Sequence, residues 1–183
     1  VLQTSKPAFK WSDATLNFKR PNKNNLVIYE LWVYDHTPSR NIKGLIDRLD
    51  YIEDLGVNAV ELMPITEFDG NDSWGYSPNH FFALDKAYGT SDELKTFIDE
   101  CHKRGIAVIL DMVFNHATGL NPMNKLYPYG TDLSKNPWFN ATAPHSDNVY
   151  EDWNHDFVPT KTMFTRSLAY WLTEYKVDGF RMD

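Results

Sequence analysis

Cysteine is nearly absent: Cys101 is the only one in 183 residues, so no disulfide can form within the chain. The spacing puts Cys101 on the apolar face of a helix, as a buried thiol rather than a reactive one. Long apolar runs are absent too. The stretch Ile106 to Leu110 falls far short of the ~20 residues a membrane helix needs, so no membrane partner is expected. Basic charge is scarce, with 18 Lys and Arg against 25 Asp and Glu, a net charge of −7. A nucleic-acid binder would show a basic patch instead. Neither G-x-G-x-x-G nor G-x-x-x-x-G-K occurs, which leaves a phosphate-binding reading without its loop, and H-E-x-x-H is missing as well. No initiator Met and no signal peptide opens the chain, so cytoplasmic and secreted locations both stay open.

What is present is apolar and aromatic. Hydrophobic residues make up 42%, enough for one domain with a real core. Aromatics make up 15%, with six Trp and ten Tyr. Most such rings anchor cores and loops, but sugar-binding clefts also use them, packing ring faces on the C–H faces of pyranoses.

Residues 1–25 are polar and rich in Asn, Lys and Pro, and read as a linker or the tail of a preceding β-domain. Leu26 to Tyr34 is apolar apart from Glu30 and predicts a buried strand. Ile42, Leu45, Ile46, Leu49, Ile52 and Leu55 then follow helical spacing up to Gly56. Val57 to Ile65 predicts a second strand, followed by a polar loop. Thr90 with Glu93 three residues on is a capping-box signature, opening a helix that ends at Gly105. Ile106 to Phe114 predicts a third strand. The polar stretch 117–158 is too long for a plain loop and reads as an inserted, irregular subdomain. A helix over Lys161 to Tyr175, with Phe164, Leu168, Leu172 and Tyr175 on its face, leads into a fourth strand at Val177. Strands alternating with helices, and too apolar to have a wet face, indicate a parallel sheet in an α/β fold. A (β/α)8 barrel and an open doubly wound sheet could both begin this way.

Three clusters fall at or just after the C-terminal ends of predicted strands, where α/β sites are built. They are Asn71 to Pro78, with Trp74-Gly75-Tyr76-Ser77-Pro78 at its centre; Asp111-Met112-Val113-Phe114-Asn115-His116; and Arg181-Met182-Asp183. Each has a plain structural explanation: a turn with aromatic anchors, polar strand ends, a salt bridge. Their joint placement points to a site. Residues two apart on a strand share a side, so Arg181 can sit beside Asp183 and favour its ionised form.

The three motifs together resemble the α-amylase superfamily of glycoside hydrolases, over about residues 26–183. Val60 to Ile65 followed by Asn71 to Pro78 resembles its branching-enzyme and pullulanase side. The resemblance implies the first half of a (β/α)8 barrel, with the subdomain inserted after strand three. Asp183 matches the catalytic nucleophile, and Arg181 the residue that holds it. Tyr76 matches the ring beneath the sugar at the cleaved bond, and His116 a sugar-binding His. Trp74 is placed with them as a substrate contact, and Asp111 as a supporting carboxylate. Asn115 matches a ligand of structural calcium found in many members; no other cofactor is implied. The implied reaction is retaining hydrolysis or transfer at α-1,4 or α-1,6 bonds of starch, glycogen or maltooligosaccharides.

The family's acid Glu, expected after strand five, would lie past Asp183, and Glu61, Glu67 and Glu151 do not match it by position. The chain therefore reads as an enzyme fragment, cut at its nucleophile and inactive alone. Half a barrel leaves two strand edges unpaired, so the isolated chain is expected to self-associate. Competing readings are a branching enzyme or other transferase, a non-catalytic carbohydrate-binding relative, and a metal-dependent hydrolase built on Asp111, His116, His155 and Asp156.

Overall fold

The computed structural model describes residues 5–126 and 132–183. Its elements in chain order begin with α1 (Asp13–Leu16), a 3₁₀ turn (Lys23–Asn25), β1 (Ile28–Leu31), α2 (Val33–His36), α3 (Ile42–Ile46) and α4 (Leu49–Asp54). Next come β2 (Ala59–Leu62), β3 (Thr66–Phe68), β4 (Pro78–Leu84), α5 (Ser91–Lys103) and β5 (Ala107–Met112). The chain continues through β6 (His116–Ala117), α6 (Pro122–Leu126), a 3₁₀ turn (Leu133–Lys135) and β7 (Glu151–Asp152) to α7 (Val158–Glu174) and β8 (Gly179–Met182).

The four predicted strands form one parallel sheet, in the order β1-β2-β5-β8. Each new strand is laid beside the last with no reversal, as a barrel grows. A doubly wound sheet turns back at a switch point. Val60, Leu62, Val108 and Leu110 are fully buried. Glu30, Glu61 and Ile109 follow one another across the sheet in register, Glu30 exposed on the edge strand and the other two partly covered. Burial, with the charges of Glu30 and Asp111, pushes the Glu61 carboxyl above its ordinary value.

Helix α5 forms as its sequence specifies. Thr90 Oγ1 accepts from Glu93 N at 3.2 Å, and Glu93 Oε2 accepts from Thr90 N at 2.7 Å, closing the capping box. Leu94, Phe97, Ile98 and Cys101 are fully buried. Burial pushes the Cys101 thiol far above its usual value, consistent with an inert core residue.

Several expectations are corrected. The first strand is shorter than Leu26 to Tyr34, because the chain turns at Trp32 into α2. It is also not buried at its start: Val27 is 55% exposed and Ile28 44%, since β1 is an edge strand. The single helix over 42–55 is two, α3 and α4, separated where Arg48 N bonds Leu45 O and tightens the turn. The polar loop after the second strand contains an antiparallel ladder, β3 on β4. Helix α7 begins at Val158 rather than Lys161, with Pro159 in its first turn, where a missing N–H costs nothing. Its buried face runs through Phe164, Ser167, Trp171 and Tyr175, leaving Leu172 38% exposed. The reason is a shared anchor: Ser167 Oγ (2.7 Å) and Trp171 Nε1 (2.9 Å) both donate to the Phe81 carbonyl on β4.

The segment read as a linker or tail, residues 1–25, is described from residue 5, and there it is held down. Asp99 Oδ1 on α5 accepts from Ser12 N (3.0 Å), Ser12 Oγ (2.8 Å) and Thr15 Oγ1 (2.7 Å). Its loop-like polar composition thus includes donors for a buried carboxylate. Within 117–158, residues 127–131 lie outside the described residues. In the remainder, β6 and β7 form a separate two-stranded sheet, pairing antiparallel with His116 opposite Asp152 and Ala117 opposite Glu151.

Candidate active site

The site forms where β5 and β8 end side by side. Register pairs Asp111 with Arg181, so the guanidinium leaves its strand next to that carboxylate. Asp111 is 1% exposed, and both of its carboxylate oxygens accept from Arg181 Nη1 at 3.1 Å. The same Nη1 donates to Asp183 Oδ1 two residues along. The period-two reading of Arg181 and Asp183 therefore holds in the geometry, with one guanidinium spanning two carboxylates. These bonds, Asp183 first and Asp111 second, push Arg181 further above its already high value.

Asp111 Oδ2 takes a further bond, from the Tyr76 hydroxyl at 2.7 Å. Burial pushes the Asp111 carboxyl above its ordinary value, against the hydrogen bonds from Tyr76 and Arg181 that pull it down. Tyr76 is raised too, by burial first and then by its bond to Asp111, so it stays a neutral donor. Two fixed donors on one buried carboxylate orient the Tyr76 ring and the guanidinium together.

The turn that delivers Tyr76 depends on Gly75. Its φ is +93°, and a Cβ there would lie 2.3 Å from the Pro64 carbonyl oxygen. Beside it Trp74 is 62% exposed and meets Trp32 edge to face at 6.5 Å. Trp32 is itself fixed, its Nε1 donating to Ser73 O at 3.0 Å.

His116 is nearly buried, and both ring nitrogens are engaged. Nε2 donates to the Tyr76 carbonyl at 2.8 Å, and Nδ1 accepts from Asn115 Nδ2 at 3.2 Å. A carbonyl can only accept, which sets the proton on Nε2. Trp74, Tyr76, His116 and Asp183 all line one open cleft of about 540 Å³. The fourth wall comes from Val149 and Tyr150, just before β7. Sequence reading missed these two, which lie inside a long polar stretch with no local motif. Tyr150 is 59% exposed and has φ +53°, a left-handed backbone that costs a bulky residue on the order of 1–3 kcal/mol.

The structure disperses the metal-hydrolase set. His155 Nε2 donates to the Phe114 carbonyl at 2.9 Å, while Asp156 stands in solvent near Lys161. Among the described residues no three His, Cys, Asp or Glu side chains stand together. Asn115, matched above to a calcium ligand, donates its side-chain Nδ2 to His116 Nδ1, and its backbone carbonyl accepts from Trp153 N at 3.1 Å. Calcium takes six to eight oxygens. No step is assigned to a metal.

The family described as alpha amylase, catalytic domain, matches residues 15–161. The chain belongs to this family. It is 37% identical over 181 residues to a malto-oligosyltrehalose trehalohydrolase of Saccharolobus solfataricus, covering 97% of this chain and 30% of that protein. Isoamylase 3 of Oryza sativa is 35% identical over 219 residues, covering 96% of this chain and 27% of that one. Among solved structures, a pullulanase from Paenibacillus barengoltzii in complex with maltohexaose and α-cyclodextrin superposes with a TM-score of 0.75. It is 26% identical and covers 94% of this chain and 33% of that one. An α-amylase from Geobacillus thermoleovorans complexed with acarbose gives a TM-score of 0.73 at 28% identity, covering 86% and 40%. The chain thus spans about 30% of the length of the curated relatives it matches. The sheet is the N-terminal part of a (β/α)8 barrel of the α-amylase type.

Proposed function

We propose that the protein containing this chain is a retaining glycoside hydrolase of α-glucans, cleaving α-1,4 or α-1,6 glucosidic bonds. The observation that carries this reading is the Arg181 guanidinium, which spans Asp111 and Asp183 beside the Tyr76 ring on an open cleft. Asp183 is the nucleophile. Its carboxylate attacks the anomeric carbon, the bond from that carbon to the leaving oxygen breaks, and a covalent glycosyl-enzyme forms. A second carboxyl donates its proton to the leaving oxygen, then as carboxylate takes a proton from the water that releases the sugar.

Arg181 and Asp111 hold the nucleophile in line, Tyr76 supports the sugar at the cleaved bond, and Trp74 contacts the glucan. Trapping the attack geometry this way is worth several kcal/mol of barrier. His116 acts on the sugar only after giving up one of its two protein bonds; in this structure it fixes the Tyr76 backbone. The proton donor comes from sequence outside these 183 residues. Glu67 is paired with Lys86, and Glu61 stands beside Glu30 farther down the sheet. No cofactor enters the reaction.

The test is reducing-sugar release from amylose and pullulan by the parent protein beside its Asp183→Asn variant. Loss of release in the variant supports the assignment, and the preferred polymer names the linkage. Undiminished release would overturn it. No release by either protein, with chain-length redistribution instead, would move the assignment to a transferase.

A further inference from the structure

The cleft has an aromatic wall that the proposed chemistry does not use. Tyr150 comes from the inserted stretch, separate from the turn that carries Trp74 and Tyr76, yet lines the same cleft as Asp183. Its ring lies 5.5 Å from the His116 ring at 37°, so it is neither stacked away in the core nor loose in solvent. Its backbone is left-handed, a conformation ordinarily left to Gly or Asn.

The residues on its C-terminal side hold that strain in place. Glu151 and Asp152 pair with Ala117 and His116, and Asp152 is gripped by Asn140 Nδ2 (2.6 Å) and His145 Nε2 (2.9 Å). A polar clasp on the buried Asp152 thus holds an unfavourable conformation beside it, in a large ring that remains 59% exposed. A position over-determined in this way, at a cleft, marks a function.

From this geometry we infer that Tyr150 is a specificity-determining contact, the platform for the glucosyl residue adjoining the one seated on Tyr76. A tyrosine face offers apolar area with only two side-chain torsions to freeze, suited to the C–H face of a pyranose. The ligand class is an α-glucan of several residues rather than a single glucoside. This inference rests on the glycosidase reading above and adds the subsite that selects chain length.

The experiment uses the parent protein with Tyr150→Asn, which keeps a residue tolerant of left-handed backbone but removes the ring, and Tyr150→Phe, which keeps the face. For maltoheptaose the Asn variant is expected to raise KM about tenfold or more, with kcat changed less than about threefold and unfolding temperature unchanged. The Phe variant should stay near the parent. Maltoheptaose binding is also measured by calorimetry in the Asp183→Asn background, where the same loss should appear in Kd without turnover. An unchanged KM and Kd in the Asn variant would overturn the inference. So would equal impairment of Phe and Asn, which would assign the effect to the hydroxyl. Undiminished turnover in the Asp183→Asn background would instead sink the glycosidase reading, while the Kd comparison would still decide the role of Tyr150.

Discussion

Carboxylates stand at both ends of strands β5 and β8, and the two ends behave differently. At the lower end, Asp178 accepts from Val108 N at 2.8 Å and from the His102 ring at 2.9 Å, with Arg20 beyond. Nearby Asp99 takes three donors from Ser12 and Thr15. Phe18 covers the His102 ring, its centroid 4.0 Å away. Each of these acceptors meets donors from the chain itself, and the open cleft of about 490 Å³ beside them, lined by Phe18, His102 and Asp178, presents its aromatic ring already stacked on His102. At the upper end, Arg181 and Tyr76 serve Asp111 equally well, but Trp74 and Tyr150 are exposed, and Asp183 opens to a cleft. Ionic density alone does not mark a site. The unmatched aromatic surface beside it does.

The largest effect that tests this contrast is catalytic. Asp183→Asn in the parent protein should cut kcat/KM on amylose by on the order of 10³-fold or more. Arg181→Lys should cost about 10²-fold, since the shorter lysine side chain does not carry its ammonium to the position of Nη1, which bridges Asp111 and Asp183, and so lets the nucleophile shift. Asp178→Asn at the opposite end should leave kcat within about twofold while lowering the unfolding temperature. If Asp178→Asn matched Asp183→Asn in lost turnover, the two ends would not be separable.

Stability should show the reverse ranking. Asp99→Ala strands three donors and is expected to cost about 1–3 kcal/mol, a fall of several degrees in a thermal melt with kcat preserved. The two ends should also differ in pH response. Burial pushes Asp99 up, but hydrogen bonds from Thr15 and Ser12 and the Lys103 ammonium outweigh it and hold the carboxyl at about 2, below the ordinary 3.8. Its stabilisation is complete above 3.8 and disappears as pH falls toward 2. Asp111, raised by burial, has the opposite sign: its contribution is greatest when protonated and declines as pH rises through its native titration. Urea unfolding across the acid range should therefore show a flatter acid limb for Asp99→Asn. A parallel curve to the wild type would contradict that sign. The smallest predicted effect concerns the open edges of β1 and β8: the isolated chain should scatter light above its 21.3 kDa monomer mass.

The elements legible in the sequence are those written locally. Thr90 and Glu93 announce α5, the apolar run before Asp111 announces β5, and the period of two puts Arg181 beside Asp183. The features that stay hidden depend on distant partners. The β3–β4 ladder reads as a polar loop because its two strands are separated by the turn that carries Trp74 and Tyr76. The inward face of α7 departs from its apolar pattern because Ser167 turns in for a carbonyl 86 residues away. Tyr150 carries no signal at all, since its placement is set by the pairing of β6 with β7.

One carbonyl has a mechanical consequence. Phe81 O holds Ser167 and Trp171, and through them joins β4, the strand that follows the Tyr76 turn, to the helix that leads into Arg181 and Asp183. Both lone pairs are occupied, so neither side can slide without breaking a buried bond. The two walls that carry Tyr76 and Asp183 are thereby splinted into one body. An entering glucan therefore meets Tyr76 and Asp183 as a single surface.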